Sequence, residues 1–142
     1  MDPERGFGDK NFDVSKGVST PYDETLIKVD NSRIHYIVES GSNANGNYLR
    51  FSDGTQICYY SGTKTIGINN AYGSLFQGSY TYSFPKKFAS TPAVAIGRTQ
   101  WGTGASWGSV GYVTTSSVTL RFIDAFSRTA ASTDISYIAI GR

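Results

Sequence analysis

The sequence is poor in the residues that form covalent cross-links and metal sites. Its 142 residues include one cysteine, Cys58, and one histidine, His35. A single cysteine cannot form a disulfide within the chain, so the class of small disulfide-stapled secreted domains is excluded. A Cys/His metal site within one chain is excluded as well, because such sites need three or four ligands. We expect no cofactor.

Long apolar runs and concentrated charge are also missing. The longest apolar stretches, such as 57–60 and 93–96, are only a few residues long, whereas a membrane span needs about 20. With no signal-peptide pattern at the start, we expect a soluble protein without membrane insertion. The 13 basic residues occur singly except for Lys86 and Lys87, so the sequence gives little support for nucleic-acid binding.

The charges divide the chain into two parts. Residues 1–30 contain seven acidic and four basic residues, few large apolar side chains and no periodicity. Such a segment cannot fold alone. We therefore predict an extended shaft or linker over 1–32, either native or the remnant of a longer protein, and a folded domain over 33–142.

Short apolar alternations separated by Gly, Asn, Ser and Asp clusters indicate an all-β antiparallel domain. Aromatic residues make up 14% of the chain and 16 glycines are present, which also favours strands and turns over helices. We predict eight strands, over 33–39, 47–52, 55–61, 79–88, 93–101, 106–114, 117–124 and 135–141.

One strand shows its two faces clearly. Val118, Leu120 and Phe122 alternate with Thr119 and Arg121. This pattern is typical of an antiparallel strand with one buried and one solvated face.

A second local signal is a turn. Asp53 and Gly54 stand between Phe51 and Thr55, and both residue types tolerate a positive φ. They predict a two-residue hairpin turn.

Successive antiparallel strands place their connections alternately at the two ends of a domain. Short turns at 53–54, 89–92 and 115–116 would then lie at one end. Long connections would gather at the other end, over 40–46, 62–78, 102–105 and 125–134. Loops clustered away from the N-terminal segment are typical of a binding head.

Three motifs occur in order: NGNYLRFSDGTQICYYSGT from Asn45, YSFPKKFASTPAVAIGR from Tyr82, and the ending YIAIGR. Together they resemble the C-terminal domain of tailed-bacteriophage tail fibres, over residues 45–142. The resemblance implies a compact antiparallel β-sandwich similar to the H-type lectins, assembled as a parallel homotrimer. The usual closing tryptophan of that family is Tyr137 here.

The resemblance also implies a function. The chain would be a fibre tip, attached to the rest of the tail fibre, that binds bacterial surface carbohydrate such as lipopolysaccharide for adsorption. It would be a virion component assembled in the host cytoplasm, and not an enzyme. One alternative is a structural trimerisation cap that binds nothing. Another is a glycan hydrolase, for which Asp124 and Asp134 would be the paired carboxyls.

Two predicted loops carry aromatic and charged candidates for ligand binding. Trp101 and Trp107 flank a Gly/Ser loop, and exposed tryptophan stacks on the apolar faces of sugars; in a small sandwich a tryptophan also fits the core. Phe126 and Arg128 lie in the 125–134 loop with Asp124 at its base. Arg128 can donate forked hydrogen bonds to anionic groups or sugar hydroxyls.

The loop over 62–78 adds neutral candidates. Asn69, Asn70 and Tyr72 offer the amide and phenol groups that sugars require, although Asn-Asn before Ala-Tyr-Gly is also ordinary turn chemistry. Cys58 fits a buried strand position. A dyad of Cys58 with His35 lacks an orienting group, so we predict no catalytic and no metal-binding residue.

Overall fold

A computed structural model describes residues 12–13, 18–19, 35–100 and 107–142. The chain divides into two units, Met1–His35 and Tyr36–Arg142. In the first unit, β1 (Phe12–Asp13) pairs antiparallel with β2 (Val18–Ser19). The predicted shaft over 1–32 otherwise lies outside the described residues.

The second unit consists of two antiparallel sheets. One contains β3 (Ile37–Asn43), β4 (Gly46–Phe51), β5 (Gln56–Ile68), β8 (Ala93–Gln100) and β11 (Arg128–Gly141), in the order β3-β4-β5-β11-β8. The other contains β6 (Asn70–Tyr72), β7 (Leu75–Ser83), β9 (Trp107–Val113) and β10 (Ser117–Asp124), in the order β6-β7-β10-β9. The prediction of an all-β antiparallel domain is confirmed. Within the described part of the chain, no helix is long and apolar enough to cross a membrane.

The core lies between the two sheets. Val118, Leu120 and Phe122 of β10 are fully buried and belong to one hydrophobic cluster with Ile135 and Ala139 of β11. Burial of a large apolar side chain contributes about 1.5–3 kcal/mol, so this layer stabilises the sandwich. The predicted alternation in β10 is therefore confirmed.

Tyrosine and phenylalanine rings fill one region of this core. The rings of Tyr82 and Tyr137 lie 5.6 Å apart, and those of Phe84 and Phe88 lie 5.1 Å apart. Burial raises the pKa of both Tyr82 and Tyr137. Their hydroxyl groups have no hydrogen-bond partner within the described residues.

The strands β5 and β11 are longer than predicted, with 13 and 14 residues. They pair from Gln56 opposite Gly141 to Ile68 opposite Arg128. The expected loops over 62–78 and 125–134 are therefore mostly strand. Gly, Ser and Thr fill these segments and hide the alternation, although Ile66, Ile68 and Thr133 still supply buried positions.

Two further boundaries also differ from the prediction. β3 continues to Asn43, which pairs with Gly46, so the expected long connection over 40–46 is a tight turn. β7 ends at Ser83, and residues 84–92 cross from one sheet to the other. Pro85 begins this crossing because it cannot donate a hydrogen bond to a strand ladder.

The hairpin between β4 and β5 is confirmed, but its turn is longer than two residues. Gly54 has a φ of 87° and donates its N–H to the Phe51 carbonyl at 3.0 Å. Asp53 does not need a positive φ. Its side chain instead accepts the Thr55 N–H at 2.8 Å, which holds the turn.

The pairing register of the strands shows which residues lie at each end of the sandwich. Gln56 and Gly141 lie opposite each other at one end, with Ala93 opposite Ile140 beside them. At the other end, hereafter the Gly73 end, β6 turns into β7 at 73–74, and β10 passes into β11 through 125–127. The predicted alternation of connections is confirmed for these segments.

Candidate functional site

Two of the predicted binding residues, Asn70 and Trp107, lie at the Gly73 end of the four-stranded sheet. Asn70 of β6 lies opposite Gln77, Gln77 lies opposite Ile123, and Ile123 lies opposite Trp107. Adjacent strands are about 4.8 Å apart, so Asn70 and Trp107 stand in one row across the sheet. Trp101 lies outside the described residues.

Trp107 faces solvent on the outer side of this sheet. Its side chain is 56% exposed. The next residue, Gly108, points inward, because a Cβ there would meet the side chains of Thr99 and Ile96. Trp107 is thus a surface residue, and the alternative assignment to the core does not apply to it.

Asp124 and Arg128 form an ion pair inside the turn between β10 and β11. Asp124 is 1% exposed, and its carboxylate accepts hydrogen bonds from Arg128 Nε and from the Phe126 N–H, the latter at 2.9 Å. Burial alone would raise the pKa of Asp124, but these donors hold it below its ordinary value. The structure places Asp124 inside the fold, with Arg128 Nε bound to it and the Arg128 side chain 35% exposed, so contact of Arg128 with a ligand anion stays a prediction.

The other predicted residues of the Gly73 end lie at the surface. Phe126 is 68% exposed in the turn, and Tyr72 is 48% exposed in the short hairpin. Asn69 is exposed where the chain passes from β5 to β6. Their predicted contact with a ligand stays a prediction.

A depression of about 600 Å³ lies on the outer face of the four-stranded sheet. Its lining is mainly polar and lacks an acidic side chain. It includes Asn70, Gln77, Ser79, Tyr112, Thr119 and Arg121. Of these residues, only Asn70 is a binding residue predicted from the sequence.

A β-bulge in β9 shapes one wall of the depression. Val110 lies opposite Leu120 and Val113 opposite Val118, so Gly111 and Tyr112 together face Thr119. The extra residue bends the strand and re-aims its side chains. Tyr112 consequently stands 74% exposed at the rim.

One of the residues that line the depression, Gly78 of β7, lies where β7 packs closely on β5. A Cβ at Gly78 would come within 2.0 Å of the Gly67 carbonyl oxygen. Only glycine permits this approach. Ser79, one residue further, faces outward opposite Arg121.

The alternation in the sequence predicts that Thr119 and Arg121 lie on the outward face of β10. Gln77 and Tyr112 carry no comparable signal. Gln77 falls in a segment that was predicted to be a loop, and Tyr112 reaches the rim through a bulge that the pattern does not encode.

A second surface lies on the outer face of the five-stranded sheet, hereafter the apolar face. Tyr59 lies opposite Ile138, which also pairs with Ala95, and the next row brings Ile57 beside Ile140. Tyr59, Ile138 and Ile140 are 42%, 41% and 45% exposed. A shallow groove of about 300 Å³ is lined by Tyr59, Ile138 and Ala95 on this face.

Asp124, Asp134 and Cys58 are the side chains for which catalytic chemistry could be considered. Asp134 pairs with Arg98 at 2.9 Å, whereas Asp124 is bound by Arg128. Burial raises the pKa of the Cys58 thiol. Among the described residues, no group of three or more Asp, Glu, His and Cys side chains is placed to hold a metal ion.

Comparison with known proteins gives structural but not sequence relatives. No protein-family model and no curated protein matches the sequence. An N-truncated R1-type pyocin tail fibre superimposes with a TM-score of 0.54 at 17% identity, covering 74% of this chain and 87% of the fibre chain. A C-terminal portion of the R1 pyocin fibre of P. aeruginosa gives a TM-score of 0.54 at 14% identity, covering 96% of this chain and 47% of the fibre chain. The likeness shows a shared fold.

Proposed function

We propose that this chain, which shares its fold with R1 pyocin tail fibres, is the receptor-binding tip of a phage or phage-like tail fibre. Its ligand is bacterial surface carbohydrate, such as lipopolysaccharide, which it binds reversibly and without chemistry. The motif resemblance over 45–142 and the fold likeness both support a place in the tail of the particle.

The depression on the four-stranded sheet is the observation that carries the carbohydrate proposal. Amides of Asn70 and Gln77 and the hydroxyl of Ser79 offer neutral donors and acceptors in one concave surface. Exposed rings of Tyr112 and Trp107 lie on the same sheet, where they can stack on the apolar faces of sugar rings. Polar groups combined with exposed rings suit a sugar better than an apolar ligand.

A homotrimer would supply the avidity that such an open site needs. Shallow polar sites bury little apolar area and bind weakly, whereas several linked sites bind together far more tightly. The apolar face supports self-assembly, because exposed Tyr59, Ile138 and Ile140 form a continuous patch that association would cover. A trimerisation cap without ligand would use the same face, so ligand binding must be tested separately.

Binding of fluorescently labelled protein to Gram-negative strains and their isogenic lipopolysaccharide truncations tests the proposal. We expect binding that disappears with a particular truncation, without release of reducing ends. Trp107→Ala should weaken binding about fivefold, since loss of one stacking contact is worth about 1 kcal/mol. Tyr36→Ala is the matched control, because Tyr36 is an equally exposed ring, at 59%, outside the four-stranded sheet.

The alternatives give different results in this experiment. Protein that is trimeric but binds no strain would indicate a structural cap. Release of reducing ends would indicate a hydrolase. Binding that survives every lipopolysaccharide truncation would point away from this carbohydrate.

A further inference from the structure

Arg121 is the one charged side chain among the described residues that line the depression, and none of the described carboxylate side chains pairs with it. It is exposed on β10, with Ser79 and Ser109 opposite it on the two neighbouring strands. No acidic residue lines the depression. No salt bridge within the described residues includes Arg121.

Every carboxylate side chain of residues 36–142 is engaged elsewhere. These four residues are Glu39, Asp53, Asp124 and Asp134. Glu39 binds Lys86 at 2.9 Å and Arg50 at 3.2 Å, and Asp53 accepts hydrogen bonds from Thr55. Asp124 and Asp134 are paired with Arg128 and Arg98. None of these four side chains is therefore placed to neutralise Arg121.

The surroundings of Arg121 match one class of ligand. A guanidinium presents a planar fork of donors that fits a carboxylate or a phosphate through two parallel hydrogen bonds. Asn70, Gln77 and Ser79 line the same depression and suit the hydroxyl groups of a sugar. Tyr112 at the rim presents an exposed ring beside them.

We propose that this depression binds an acidic saccharide, with Arg121 holding its carboxylate or phosphate group. The inference rests on the proposed carbohydrate-binding function and adds the charge class of the ligand and the residue that selects it. It assigns to Arg121 the anion contact that the sequence suggested for Arg128. Arg121 lines the depression and has no salt bridge within the described residues, whereas Arg128 lies outside the depression and its Nε is bound to Asp124.

The test measures binding of the full chain to three immobilised sets of saccharides: neutral hexose, hexuronate and hexose-phosphate oligosaccharides. The hexuronate set is also presented after chemical reduction of its carboxylates to alcohols, and the phosphate set after enzymatic dephosphorylation. Arg121→Gln is compared with the wild type. Lys87→Gln is the matched control, because it removes one exposed positive charge outside the depression.

We expect the wild type to bind at least one acidic set and to lose that binding when the anionic group is removed. The set that binds identifies the anion as carboxylate or phosphate. Arg121→Gln should bind about tenfold or more weakly, the usual effect of losing a charge-assisted hydrogen bond, whereas Lys87→Gln should bind like the wild type. Wild-type binding to the acidic set should also weaken with added salt.

Equal binding to neutral and acidic sets, unchanged in Arg121→Gln, would overturn the inference and leave carbohydrate binding in place. Absence of binding to all three sets would contradict both proposals. The chemically reduced and dephosphorylated saccharides decide the question with wild-type protein alone, so the test does not depend on the variant folding.

Discussion

The Asp124–Arg128 pair shows how much one buried carboxylate contributes to this fold. Asp124 is held by the Arg128 guanidinium and by the Phe126 N–H, and so it ties the end of β10 to the start of β11. A buried charge is tolerated only when it is paired and hydrogen-bonded. The turn over 125–127 therefore depends on both partners.

Arg128→Ala should destabilise the domain by about 3 kcal/mol, because it leaves the Asp124 carboxylate buried without its cation. Arg98→Ala is the control. The Arg98–Asp134 side chains are 58% and 41% exposed, and loss of such a surface pair should cost under about 1 kcal/mol. Urea unfolding followed by circular dichroism measures both. Equal losses would show that the burial of Asp124 is unimportant.

The same carboxylate predicts the response to acid. The pKa of Asp124 is lowered from its ordinary value of 3.8 in the folded state, so the folded protein binds this proton less readily than the unfolded chain. The stabilisation is fully present above about pH 4 and is lost as the pH falls through the folded-state pKa. Urea midpoints between pH 6 and pH 2.5 should therefore decline at the acid end.

Asp124→Asn should flatten that decline. Some slope should persist, because hydrogen bonds from Lys86 and Tyr48 also lower the pKa of Glu39. An identical acid profile in Asp124→Asn and wild type would contradict the role given to Asp124.

Two buried hydroxyl groups are expected to lower the stability of the folded domain. Tyr82 and Tyr137 have no hydrogen-bond partner for their hydroxyls within the described residues, and an unsatisfied buried polar group costs about 1–3 kcal/mol. Tyr82→Phe and Tyr137→Phe keep the ring contacts, and each should raise the free energy of unfolding by about 1 kcal/mol. Thermal unfolding of each variant and of the wild type measures this gain in stability. Destabilised phenylalanine variants would show that the hydroxyls are satisfied in solution.

Among the elements, the contact of β7 with β5 is the tightest constraint on the sandwich. Gly78 lies against the Gly67 backbone with no room for a side chain. Gly73, in the β6–β7 turn, has a φ of 60° and open space around it. The two glycines therefore serve different purposes, one for packing and one for turn geometry.

Gly78→Ala should cost about 3 kcal/mol, since a Cβ 2.0 Å from backbone oxygen forces the two strands apart. Gly73→Ala is the matched control and should cost about 1 kcal/mol for its left-handed backbone alone. Unfolding of both variants by a chemical denaturant measures the loss in free energy of unfolding for each. A smaller loss in Gly78→Ala than in Gly73→Ala would contradict the close packing of the sheets.

At this scale the sequence predicts elements well where side chains are large. β10 was predicted over 117–124 with its faces assigned, because Val118, Leu120 and Phe122 alternate with polar residues. The far halves of β5 and β11 could not be predicted, because small residues there carry little hydrophobic contrast and pairing between strands decides their conformation.

The candidate site is likewise predictable from the sequence only in part. Trp107 and Asn70 could be named from residue type. Arg121 could be placed on the outer face but not beside Gln77 and Tyr112, since their proximity depends on strand order and on the bulge at Gly111. The pairing of Arg128 with Asp124 likewise appears only once the turn over 125–127 is known.

For the molecule as a whole, the two outer faces differ in chemistry. The four-stranded sheet presents polar groups around the depression, whereas the five-stranded sheet presents the apolar face. A surface that stays exposed in an oligomer is expected to be polar, and a surface covered by another subunit is expected to be apolar. The contrast predicts that assembly covers one side and leaves the other open.

Ile138→Lys should convert the proposed trimer to a monomer, because it places a charge in the centre of the apolar face. Ser83→Lys is the control, since Ser83 is exposed at the end of β7 on the other sheet. Sedimentation velocity reports the mass of each variant. A trimeric Ile138→Lys protein would show that the apolar face is not the subunit interface.

The same monomer should bind bacterial cells about a hundredfold or more weakly than the trimer, while each site keeps its affinity for a soluble saccharide. Cell binding and calorimetry together measure the two quantities. A loss of affinity at the single site would indicate that neighbouring subunits complete it.

The alternation of buried and outward residues in β10 also affects which substitutions the protein can accept during evolution. Val118, Leu120 and Phe122 form the buried face of β10 and stabilise the fold. Thr119 and Arg121 form its outward face and line the depression. Substitutions at outward positions leave the core intact, so under the proposed function host range could drift rapidly on an unchanged scaffold. Randomising the outward positions of the depression should accordingly yield folded libraries from which tips for new bacterial surfaces can be selected.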